Sequence, residues 1–112
     1  MNSGANIRAI RQHQRFALRR KVLAVRGRGR PAEGLLVELS LHGCRVSSLG
    51  HDRFVLGSEV SICLPGFEPL SGMVRWSQDG TIGLRFARPL AAAALAAMLS
   101  AAREPLPELA CA

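Results

Sequence analysis

The chain has 112 residues, enough for one domain around one hydrophobic core. With 48% hydrophobic residues but only 4% aromatic, that core must be built from Leu, Val, Ile and Ala. The net charge of +7 is concentrated: nine basic residues and no acid fall between Met1 and Arg30, a local positive potential that attracts phosphates. No apolar run approaches the roughly 20 residues that span a bilayer, and no signal-peptide stretch follows the basic N-terminus, so the expectation is a cytoplasmic protein without membrane insertion.

Residues 1–15 read as a flexible basic arm. Phe16 to Val25 alternates as a strand and ends in Gly27-Arg28-Gly29-Arg30-Pro31, a cluster of turn formers. Leu35, Val37 and Leu39 then fall on one face and Leu36, Glu38 and Ser40 on the other, the period of a half-buried strand. Leu41-His42-Gly43 breaks the pattern, Cys44 to Ser47 resumes it, and Ser48 to Gly57 is the longest internal loop. Val60, Ile62 and Leu64 alternate until Pro65-Gly66 stops them. Met73 to Ser77 and Thr81 to Phe86 form a last hairpin around Gln78-Asp79-Gly80. Six short strands with a turn signal every eight to twelve residues predict an all-β fold, a small antiparallel barrel whose closure removes exposed edges.

Pro89 to Ser100 is the one helical stretch, with Pro in the first turn and an Ala/Leu-rich body. Leu90, Leu95 and Met98 give it a face for docking on the barrel, without which so short a helix does not hold. The domain therefore runs over residues 16–100, and the segment 101–112, with Pro105 and Pro107, is expected to fray.

Catalytic and metal chemistry find no support. Cys44, Cys63 and Cys111 form neither a disulfide framework nor a zinc pattern, and Cys44 and Cys63 read as small buried hydrophobes. His13, His42 and His51 are scattered. There is no Gly-rich phosphate loop, paired-carboxylate site or nucleophile elbow, so the expectation is no enzyme and no cofactor.

Three separated elements resemble the PilZ domain family. Arg11-Gln12-His13-Gln14-Arg15 is an Arg-x-x-x-Arg element leading into a strand. Glu38-Leu39-Ser40-Leu41-His42-Gly43 is similar to the family's acidic-or-Asn, x, Ser, x, x, Gly element, with Glu where Asp or Asn is usual. Gly72-Met73-Val74-Arg75-Trp76 and Ile82-Gly83-Leu84-Arg85-Phe86 resemble its closing hairpin. Arg15-Phe16-Ala17-Leu18-Arg19 also has the arginine spacing, but only after Arg15 do strand-forming Phe16 and Leu18 follow directly.

The resemblance implies a six-stranded antiparallel barrel with a C-terminal helix that binds the second messenger cyclic di-GMP and signals to a separate effector protein. Arg11 and Arg15 would close over the ligand, so that ordering of the arm is the signal. The arginine fork bonds phosphate oxygens or the guanine edge and stacks on the base. Ser40 would offer a hydroxyl or backbone group, Gly43 would admit the ligand to the backbone, and Arg19 and Trp76 would add secondary contacts. The extra methylene of Glu38 moves its carboxylate by roughly one bond length; a charged hydrogen bond lost that way costs about 1.5 to 3 kcal/mol. Glu38 would then serve instead as an internal salt-bridge partner for the arm. Two other readings stand beside this one: a PilZ-like interaction adaptor without nucleotide, and a general RNA- or single-strand-binding barrel, for which the chain lacks an aromatic row.

Overall fold

A computed structural model of the chain describes residues 14–102. Most of the expected arm, with Arg11, and the tail from residue 103 onward lie outside the described residues. The elements are β1 (Phe16–Val25), β2 (Ala32–Leu39), β3 (Gly43–Ser47), β4 (Glu59–Cys63), β5 (Leu70–Gln78), β6 (Thr81–Phe86) and α1 (Ala92–Ala101). The strands close into an antiparallel barrel in the order β1-β2-β3-β6-β5-β4, the six-stranded barrel with a C-terminal helix that the strand pattern predicts.

Each strand contributes an aliphatic side chain to the interior: Val22, Leu36, Val46, Ile62, Val74 and Ile82 are all essentially inaccessible. The turns follow their residue types. Leu64-Pro65-Gly66-Phe67 is closed by the Phe67 N–H donating to the Leu64 carbonyl at 3.1 Å, with Gly66 at φ +90°, as a type II turn requires. Asp79 and Gly80 both have positive φ, 51° and 78°, the pattern of a two-residue hairpin matched to strand twist. Antiparallel pairing places the connections β1–β2, β3–β4 and β5–β6 at one end of the barrel. The start of β1, the β2–β3 turn and the exit from β6 toward α1 lie at the other.

Four expectations are corrected. In β2 it is Leu36 and Leu39 that are fully buried, while Leu35 and Val37 are half-buried. The pairing with β3 slips between Leu36 and Glu38, and such a bulge shifts the phase of alternation by one residue. Strand β5 begins at Leu70 rather than Met73, because Leu70 and Gly72 already pair with Ile62 and Val60. The helix starts at Ala92, three residues after Pro89, and Ala91 supplies no side-chain cap. It is held by Leu95 and Met98, which join the core, and by the Leu90 N–H donating to the Leu41 carbonyl at 2.8 Å just before it. Cys44 is buried, as expected, but Cys63 is only half-buried.

Candidate functional site

The β2–β3 connection is a three-residue turn built by Ser40. Its Oγ accepts the Gly43 N–H at 3.2 Å and the His42 N–H at 3.4 Å, and donates to the Gly43 carbonyl at 3.1 Å. The Ser40 N–H also donates to that carbonyl, at 2.9 Å. Ser40 is therefore engaged by the backbone of its own turn. Gly43 has an equally local reason: a Cβ there would collide with the Leu84 carbonyl oxygen of β6. Beside the ligand approach expected at this glycine, the close approach of a strand already requires it.

Beside the turn lies an open cleft of about 320 Å³, at the lower end of the range for small-molecule sites. Arg15, Glu38, Ser40 and Gly43, up to 28 positions apart in the chain, line it together with Trp76. Arg15 enters at the start of β1, where Phe16 pairs with Leu39. Its Nε stands 3.4 Å from one Glu38 oxygen, while Arg45 donates to the other at 2.5 Å. Glu38 thus bridges two arginines, the internal partnership anticipated for it, with Arg15 largely exposed and Glu38 mostly covered.

Arg45, Arg75, Arg85 and His42 complete the polar lining and were not singled out from the sequence. Four arginines against one carboxylate leave the cleft strongly positive. The signal for two of them was in the alternation: Cys44-Arg45-Val46 and Leu84-Arg85-Phe86 bury the apolar neighbours and expose the arginine. Arg75 had the same signal on one side, alternating with buried Val74, and it is Trp76 that departs from the pattern. The β5–β6 pairing slips between Val74 and Trp76, and this bulge leaves Arg75 and Trp76 consecutively exposed. Trp76 is 42% exposed, and a Cβ at Gly83 would collide with its indole, so Gly83 is the seat on which the ring lies.

Arg11 lies outside the described residues. Arg19 lines a separate cavity with Lys21, Glu33 and Ser48, because four residues of extended strand carry it about 13 Å beyond Arg15.

Burial pushes the Cys44 thiol, at the cleft wall, up to about 12, which keeps it protonated and poorly nucleophilic at neutral pH. No group of three or more metal-ligating side chains occurs among the described residues. None of their helices is long and apolar enough to cross a membrane. Phe54 and Phe86 are buried, and Phe16 and Phe67 pack against the core. Trp76 is thus the one aromatic ring substantially exposed, and a row of stacking platforms is absent from the described residues.

A family model described as PilZ domain matches residues 9–101. No curated protein matches the chain.

Proposed function

Because the chain belongs to the PilZ domain family, a family of cyclic di-GMP-binding modules, we propose that it is a cyclic di-GMP receptor that signals to a separate effector protein. The observation that carries this reading is the convergence of Arg15 and the Glu38–Gly43 turn on one arginine-lined cleft. A cyclic dinucleotide offers two phosphodiesters and two guanine faces. Arginines recognise the former by charge-assisted bonds and the latter by edge contacts or stacking. In this reading Arg11 and Arg15 close over the ligand, and Trp76, seated on Gly83, presents its exposed ring to a base.

A second reading rests on Glu38. Its carboxylate already holds Arg15 and Arg45, so the protein has an internal anion where a ligand phosphate would go. An adaptor that no longer takes nucleotide would look like this.

Calorimetric titration with cyclic di-GMP at near-physiological salt, with GTP as control, separates the two. The receptor reading predicts selective micromolar or tighter binding that weakens at least about tenfold in Arg15→Ala, the loss of one charged hydrogen bond. Absence of heat in the wild type would leave the adaptor reading. If the length of Glu38 is the cause, binding appears in Glu38→Asp.

A further inference from the structure

The cationic cleft is divided. Arg15 and Arg45 are both drawn to Glu38, at 3.4 and 2.5 Å. The guanidinium groups of Arg75 and Arg85 form no ion pair or hydrogen bond with any described residue. They line the cleft from its β5–β6 wall and also line the adjoining cavity of about 560 Å³ beside Met73 and Glu59, so they form the rim between the two. Glu59 pairs with Met73 across β4–β5 and Met73 with Arg85 across β5–β6. That separation places Glu59 two strands from Arg85, and Glu59 forms no ion pair with Arg75 on the neighbouring strand either.

We infer that Arg75 and Arg85 form the primary anion-binding site of the cleft, taking a phosphate group before the N-terminal arginines do. Electrostatics favours this order. An anion approaching Arg15 or Arg45 meets a carboxylate already in place and must compete with it, whereas one approaching Arg75 and Arg85 meets positive charge with no paired carboxylate among the described residues. Both side chains are exposed, so little desolvation opposes the contact, and two adjacent guanidinium forks can bond several oxygens of one phosphate. Arg75 faces outward by the ordinary alternation with buried Val74, and the slip between Val74 and Trp76 exposes Trp76 beside it, where regular pairing would turn that ring to the other face. Arg15 joins only when it leaves Glu38, which makes its closure a second step. The inference rests on the cyclic di-GMP reading for the identity of the ligand alone.

The test titrates two probes, tripolyphosphate and cyclic di-GMP, into wild type, Arg15→Ala, the double variant Arg75→Ala/Arg85→Ala and its conservative counterpart Arg75→Lys/Arg85→Lys, with thermal melts to establish that all are folded. The expected result is tripolyphosphate binding that falls at least tenfold in the double alanine variant, survives in the lysine variant and changes less than threefold in Arg15→Ala. Equal tripolyphosphate binding in wild type and the double alanine variant, or none in wild type, would overturn the inference. Tripolyphosphate binding that depends on Arg75 and Arg85 without any cyclic di-GMP binding would uphold the anion site and remove the nucleotide reading. Cyclic di-GMP binding lost in Arg15→Ala but intact in the double alanine variant would do the reverse.

Discussion

Gly43 and Gly83 stand on adjacent strands and exclude a side chain for different reasons. At Gly43 the obstacle is the Leu84 backbone oxygen, which cannot move without opening the β3–β6 ladder, so Gly43→Ala is expected to cost about 1–3 kcal/mol in urea unfolding. At Gly83 the obstacle is the exposed Trp76 ring, which can swing away. Gly83→Ala should therefore leave stability within about 1 kcal/mol of wild type while changing the emission of the single tryptophan. Cys44 supplies a pH-dependent term. Its folded value of about 12 stands above the ordinary 9.0, so the folded state keeps a proton that the unfolded state releases. That contribution is complete below about pH 8.5 and is lost as pH rises toward 12, with a slope of at most about 1.4 kcal/mol per unit. Between pH 9 and 11 the wild type should lose stability faster than Cys44→Ala, read from paired denaturant midpoints.

At the scale of elements, the ten-residue helix α1 has no side-chain cap and no acid in its first turn, so its attachment depends on Leu95 and Met98. Leu95 is fully buried, and Leu95→Ala should destabilise the domain by about 2 to 5 kcal/mol. The β1–β2 turn is joined to the long β3–β4 loop by Arg26. Its Nη1 donates to the Arg53 carbonyl at 2.5 Å, its Nη2 lies 3.7 Å from Asp52, and its guanidinium stacks 4.7 Å from the Phe54 ring centroid. Arg26→Ala should raise amide exchange across residues 48–58 with little change in β5 and β6; unchanged exchange would show that the loop holds itself. The strands were legible in the sequence because aliphatic alternation and turn formers mark them directly. The faces of β2 were not, since a bulge is set by the neighbouring strand and leaves no local signal. Pro89 misled for a related reason: proline permits a first turn, but the Leu90 bond to Leu41 holds that residue outside the helix.

At the scale of the molecule, the sequence pointed to one side of the cleft and, on the other, to Trp76 alone. Arg15, Glu38, Ser40 and Gly43 were legible through their spacing, although the structure engages Ser40 and Gly43 in building the turn. Arg45, Arg75 and Arg85 come to the cleft only through closure of the barrel, which sets β3 against β6 and β6 against β5. No linear pattern encodes that adjacency. Occupation of the cleft by cyclic di-GMP can be read residue by residue in an amide and indole NMR titration of the 112-residue chain. The expected result is saturable shifts concentrated at Glu38–Arg45, Arg75–Trp76 and Gly83–Arg85, including the Trp76 indole N–H. Shifts confined to the β1–β2 turn or α1, or none at millimolar ligand, would contradict it.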